Sequence, residues 1–465
     1  MKKNLIKIIA TLGPSSKDER VITDMAMAGV EAFRINMSYG DQNYWDQLVE
    51  AVIKTENFLG YNLGLIADLE GPKIRLGDFE TFYVNPGQLI TFSLKPQEGI
   101  PLPHPEFFEI IREGDVVYLG DGSVKLLVEA EEGWKIKLKV LQGSKIEPLK
   151  GVAVAGKEIE APALTSKDIR CLKYIVERPF SHVMVSYAKS PEQIEVTRAF
   201  IRDFGKRDLK ILAKIETPTG VRRIGEIVQV ADGVVVARGD LGVHFNLEEL
   251  PIIQKELVRL TRSANKPIIL ATEFLSSMIE RDVPTRSEVV DIYQAVNLSV
   301  DALMLTNETA IGKDPVKTVQ WMYKILLKAQ QEAVSDKPQA NLPIFRLAKG
   351  LVELVDNLNA NLILYSKSGK FVERIASFRP NRRYYVGVPD ERVARIVRIL
   401  WASEPIVLKD LSYEDLSYEE GLRETSKVLK EKEKLSPEQS LVEAAWSRDK
   451  EVYIISVKNL ISPDW

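Results

Sequence analysis

One cysteine and three histidines in 465 residues are the sharpest scarcities in this chain. A lone Cys171 excludes an internal disulfide framework and a multi-cysteine metal centre; it fits a reducing cytosol and reads as a structural thiol. His104, His182 and His244 are the whole supply of imidazoles, and none stands at the C-terminal end of a strand alongside a serine or cysteine nucleophile, so acyl-transfer triads find little support. An excess of charge of one sign is also missing. With 63 basic and 66 acidic residues the net charge is −3, which gives no global reason to expect nucleic acid or an anionic membrane as a partner, so any anion site must be local. No apolar run approaches the roughly 18–20 residues of a membrane-spanning helix. The opening MKKNLIKIIATLG has its apolar run broken by Lys7 and no clear cleavage signal after it; it reads as a first strand, and a soluble, cytoplasmic protein is expected.

What is present is ample for two or three cores: 45% of the residues are hydrophobic. Short β-branched runs alternate with helical patterns in two blocks, the pattern of parallel strands joined by crossover helices. The first block offers strands at Ile6, Ala32 and Leu63, and the second at His182, Leu209, Gly233, Lys266 and Asp301, which together make the eight strands of a (β/α)8 barrel. Between the blocks, hairpin-like strands with Gly-Asp-Gly and Glu-Glu-Gly turns indicate an inserted all-β domain. After a polar linker at Ser335, a third α/β segment follows, containing a charged run from Lys409 to Lys434 that reads as a solvated helical face. The expected division is a barrel over 1–71 and 161–334, a β-barrel lid over 72–160 and a C-terminal α/β domain over 343–465.

A (β/α)8 barrel carries its active site at the C-terminal ends of its strands. Those ends hold Arg34, Asn36 and Ser38; Asp68 and Arg75; Lys214 and Glu216; Arg238 and Asp240; Thr272 and Glu273; and Thr306 and Glu308. Any one of them alone reads better as a salt bridge at the barrel rim. Taken as a set, lysine and arginine with spaced carboxylates suit a divalent cation and a phosphorylated anion.

The motifs Ile9-Ala-Thr-Leu-Gly-Pro-Ser-Ser, Arg34-Ile-Asn-Met-Ser-Tyr-Gly, Asp68-Leu-Glu-Gly-Pro-Lys-Ile-Arg, Ala213-Lys-Ile-Glu, Ala237-Arg-Gly-Asp-Leu-Gly, Pro284-Thr-Arg-Ser-Glu and Asn307-Glu-Thr-Ala resemble, in order, those of the pyruvate kinase family, along nearly the whole chain. The resemblance implies phosphoryl transfer from phosphoenolpyruvate to ADP, giving pyruvate and ATP, in glycolysis and in a homotetramer. It implies Glu216 and Asp240 as ligands of Mg2+ (or Mn2+), Lys214 on the phosphoryl group in flight, and Arg34 and Arg75 on phosphate oxygens. Amides around Gly239 and Asp240 would cradle the substrate carboxylate, and Thr272 would help deliver the enolate's proton. Pro14, Arg34, Asn36, Arg75 and Lys150 would meet the nucleotide, Lys150 from the closing lid; Asn36, Ser38 and Asp68 match the monovalent-cation ligands.

Several positions depart from the family's commonest pattern. Tyr39 replaces a histidine, Leu69 and Glu70 alter the third-strand motif, and Asn307 stands where glycine is usual, admissible only if the backbone there does not need φ > 0. Lys73 stands where many members carry glutamate; an ammonium beside Asp68 would take the charge role of K+, so activity without potassium is expected. Ser366-Lys-Ser-Gly-Lys resembles a phosphate loop for an activating effector, or is a plain strand-to-helix connection. Two other functions are alternatives: a catalytically weakened sensor of nucleotide or phosphoenolpyruvate, motivated by Tyr39, Glu70 and Asn307, and another barrel enzyme working on an enolate, such as a carbon–phosphorus mutase or aldolase, which the β insertion and the paired nucleotide residues speak against.

Overall fold

The computed structural model describes residues 4–120, 122–158, 160, 162–205, 208–332, 338–408, 416–435, 440–447 and 452–459. Eight parallel strands close into a barrel: β1 (Lys7–Leu12), β2 (Val30–Asn36), β3 (Gly64–Asp68), β4 (His182–Val185), β5 (Lys210–Ile215), β6 (Gly233–Ala237), β7 (Ile268–Ala271) and β8 (Ala302–Leu305), with β8 pairing back onto β1. The strands are buried almost throughout because helices cover the outside while alternate residues fill the inside, as a parallel sheet requires. Ile9, Ala32, Ile66, Met184, Leu212, Val235, Ile269 and Met304 pack in that interior.

The segment between β3 and β4 forms a six-stranded sheet in the order Val152–Val154, Val116–Leu119, Val124–Glu132, Lys135–Gln142, Leu89–Ser93, Ile100–Pro101, with a separate two-stranded ribbon of Phe82–Tyr83 and Lys145–Ile146. The pairing among the described residues is that of an open sheet, not the closed β-barrel expected, and a short helix, Pro105–Ile110, joins it. Gly133 makes the expected tight turn with φ +64°. The Gly-Asp-Gly turn includes Asp121, outside the described residues.

The C-terminal sheet runs Ser403–Val407, Tyr384–Val388, Asn361–Tyr365, Ser440–Ser447 and Val452–Asn459, parallel except for the last strand. The charged run is, where described, the amphipathic helix Tyr418–Glu431; 409–415 and the linker at Ser335 lie outside the described residues. This domain closes the N-terminal end of the barrel. Ile399 joins the interior cluster, facing Gly64, where a Cβ would lie 3.0 Å from its methyl group. Arg379 grips Asp301, at the start of β8, with two bonds of 3.0 and 2.8 Å, both side chains about 2% exposed, and donates to the Ser299 carbonyl at 2.8 Å. Arg395 does the same to Glu56, and Lys7 and Arg383 share Glu31. Removing one partner of such a pair strands a buried charge. Arg379→Met should destabilise the protein by about 3–5 kcal/mol, read as an earlier urea transition; an unchanged midpoint would show that the pair contributes little.

Candidate active site

Lys214, near the end of β5, is the hub of the barrel mouth. Its ammonium lies 2.9 Å from Ser186 Oγ, 3.3 Å from Asp68 and 3.6 Å from Glu216, with 12% of the side chain exposed. Burial disfavours the charge, but Asp68 and then Glu216 outweigh it and raise the pKa, so the lysine is a fixed cation. Asp68 ends β3 beside Asn36 in the pairing of β2 and β3, and is gripped from the other side by Arg34, whose Nε donates at 2.8 Å and whose Nη2 donates to the same oxygen. Arg34 Nη1 donates to Thr11 Oγ1 at 3.0 Å. Burial works against the Asp68 carboxylate; Lys214 and Arg34 together hold its pKa below the usual range.

The two carboxylates expected to hold a metal differ in state. Burial, aided by the charge of Asp240 and opposed by Lys214, pushes Glu216 up to about 7. At Asp240 burial is outweighed by Lys73 and Lys214, which hold the group below its ordinary value. Such a pair favours a cation between them. Glu216 is aimed by the Tyr187 amide, which donates to its Oε1 at 2.6 Å from a left-handed backbone (φ +54°). Among the described residues no group of three or more His, Cys, Asp or Glu side chains is arranged to hold a metal ion. Two carboxylates without a protein cage fit Mg2+, which keeps water and takes substrate phosphate oxygens for its remaining positions.

Lys73 does not sit beside Asp68. Its ammonium donates to Asp240 Oδ1 at 3.1 Å, and Asp68 is already held by Arg34 and Lys214. The turn explains the difference: Gly71 adopts φ +68°, the Lys73 amide bonds back to the Gly71 carbonyl, and the side chain runs beneath Gly151, where a Cβ would come within 2.7 Å of Lys73 Cε. Here the lid returns to the barrel. Arg75 bridges to Gly151, the Val152 amide bonds to Ile74, and a cavity of about 70 Å3 between the lid and the helix Arg238–His244 is lined by Lys73, Val152, Tyr187, Lys189, Asp240 and His244.

Thr272 follows β7 in a left-handed conformation (φ +70°), rare for a β-branched residue, with Glu273 and Leu275 left-handed after it. Its hydroxyl donates to the Ala271 carbonyl at 2.6 Å and accepts from the Gly239 amide at 2.8 Å. That amide, expected to face a ligand, is turned to Thr272. Asn36 Oδ1 accepts from the Ser38 amide at 3.0 Å. Pro14, in a short 3-10 turn after β1, and Lys150, paired with Glu147 at 3.2 Å, are exposed, and no contact among the described residues joins them.

Comparisons with known proteins agree on one family. The family model for the barrel domain of pyruvate kinase matches residues 3–319. The pyruvate kinase of Aeropyrum pernix is 48% identical over 98% of this chain and 99% of its own, and that of Pyrobaculum aerophilum 36% identical over 89% and 90%. The crystal structure of pyruvate kinase from Pyrobaculum aerophilum superposes with a TM-score of 0.86 at 35% identity, covering 98% of this chain and 100% of that one. The chain belongs to the pyruvate kinase family. It is a phosphotransferase built as a TIM barrel with an inserted β domain after the third strand and a C-terminal α/β domain.

Within that family frame the departures acquire partners. Glu70 accepts from Arg75 Nε at 2.9 Å and from Lys167 at 2.6 Å, so it aims Arg75; Tyr39 lies with its ring 5.8 Å from the Arg75 guanidinium. Asn307 opens the short helix Asn307–Ala310 and is not among the residues with positive φ, so glycine is not required there. Ser366 Oγ accepts from the Gly369 amide at 3.0 Å, a connection closed on itself. Ser186, Tyr187 and Arg238 are the residues whose roles sequence reasoning missed. Ser186 was discoverable: it directly follows the fourth strand, at the same end of the barrel as the other polar residues.

Proposed function

We propose that the enzyme catalyses direct transfer of the phosphoryl group of phosphoenolpyruvate to ADP, as a glycolytic, cytoplasmic pyruvate kinase. The observation that carries this reading is the hub of Lys214 between Asp68 and Glu216, with Arg34 opposite. In the reaction the bond from phosphorus to the enol oxygen breaks, a bond from phosphorus to a β-phosphate oxygen of ADP forms, and the enolate of pyruvate takes a proton at its methylene carbon. Lys214, Arg34 and Arg75 neutralise phosphate oxygens in flight, and no nucleophile on the chain is needed. Thr272 stands by the Gly239 amide, where its hydroxyl serves the enolate. Glu216 and Asp240 are the residues that would hold Mg2+ or Mn2+. Bound there, the metal would supply charge neutralisation of phosphate and enolate oxygens. Pro14, Asn36 and Lys150 are assigned to the nucleotide, and the lid over 72–160 shields the site from water.

Asn36, Ser38 and Asp68 remain the candidate monovalent-cation ligands, but Lys73 already brings a permanent charge to Asp240, and turnover is proposed not to need potassium. A homotetramer is proposed, supported by the apolar side chains Leu247, Ile252, Val283 and Val290 left exposed on or beside two outer helices of the barrel. A coupled assay for pyruvate from phosphoenolpyruvate and ADP tests the function. Turnover with Mg2+ that vanishes on chelation is expected from protein that sediments as a tetramer; binding of both substrates without turnover would favour the sensor instead.

A further inference from the structure

Arg238 follows β6 as the first residue of the helix Arg238–His244, and its side chain is 11% exposed. All three of its nitrogens are engaged. Nε and Nη2 donate to the Thr272 carbonyl at 3.1 and 2.6 Å, and Nη1 lies 2.8 Å from each carboxylate oxygen of Asp291, on the helix Arg286–Asn297. The guanidinium also lies 3.8 Å from the centre of the Phe274 ring. The peptide it grips belongs to Thr272, the first of three left-handed residues there, with Glu273 and Leu275. A threonine there needs an outside hold, because the left-handed region crowds its Cβ and the preceding sequence, a β-strand, favours extended backbone.

We infer that Arg238 is a positioning residue for the reaction: braced by Asp291 and the Phe274 ring, it pins the Thr272 carbonyl and so keeps the Thr272 hydroxyl on the Gly239 amide, facing the site. This rests on the role given above to Thr272. Only arginine suits the task. Its planar fork reaches one carbonyl with two donors while a third nitrogen meets a carboxylate; a lysine ammonium has no such fixed geometry. The effect should fall on proton delivery more than on substrate binding, since none of the Arg238 nitrogens is free to meet a phosphate.

The test uses the full enzyme and two readouts: steady-state turnover, and exchange of deuterium from water into the methyl group of pyruvate with ATP and Mg2+ present. Arg238→Lys should lower kcat and the exchange rate together by about tenfold or more, with KM for phosphoenolpyruvate within about threefold of wild type. In a Thr272→Ala background the same substitution should cost less than about twofold, because residues that act through one group are not additive. Asp291→Asn should give a smaller loss of the same kind, and it carries the test should Arg238→Lys lower the melting temperature severely. An equal loss in both backgrounds, or a rise in KM with kcat unchanged, would overturn the inference. If Thr272→Ala leaves turnover and exchange intact, the role of Thr272 fails first and the inference falls with it; if Thr272→Ala is impaired while Arg238→Lys and Asp291→Asn are not, the inference alone fails.

Discussion

Lys214→Met should lower kcat by about 10^3-fold with the protein still folded. Methionine keeps the volume of the lysine stem but brings no charge to the point where Lys214 now lies 3.3 Å from Asp68 and 3.6 Å from Glu216. Asp68 retains Arg34, so the fold survives; what is lost is the cation proposed to offset charge on the equatorial oxygens of the phosphoryl group. The measurement is the coupled assay with substrates saturating, beside a thermal melt. A variant with more than a tenth of wild-type turnover would remove Lys214 from the centre of the mechanism.

The second large effect concerns potassium. Wild type should turn over equally with and without K+, and Lys73→Glu should fall by about 50-fold in potassium-free buffer and recover when K+ is added, the loss of one well-placed charge being worth a few kcal/mol. The reason is the position of the ammonium, 3.1 Å from Asp240, where Asp240 is the largest influence raising its pKa and the charge is therefore secure. Many-fold activation of wild type by potassium would end this account, as would a Lys73→Glu enzyme that potassium cannot rescue.

The site could be read from the sequence to the extent that strand ends define it. Arg34, Asp68, Lys214, Glu216, Asp240 and Thr272 each follow or end a β-branched run, and barrel closure brings those ends together whatever their separation along the chain. Lys73 failed where no strand guided it. Five residues from Asp68, it is expected beside that carboxylate, but the left-handed Gly71 turns the chain toward Asp240, 167 residues away. The same limit hid the Tyr187 amide on Glu216 and the Arg238 fork on Thr272, both of which depend on backbone atoms and left-handed residues that side-chain chemistry does not announce. The lid's alternating strands were plain, and its open pairing was not, because alternation fixes faces and leaves edges undetermined.

Ile399 imposes an order on the making of this protein. The eighth strand is complete at Leu305, yet the apolar interior that it closes also contains a side chain that leaves the ribosome only after the linker and half of the C-terminal domain have been synthesised. At ordinary elongation rates that delay is on the order of ten seconds. Through that interval the nascent barrel has a greasy, unstoppered floor, and a chain released before residue 399 would keep it, a ready substrate for chaperones and proteases even with every residue of the mouth in place.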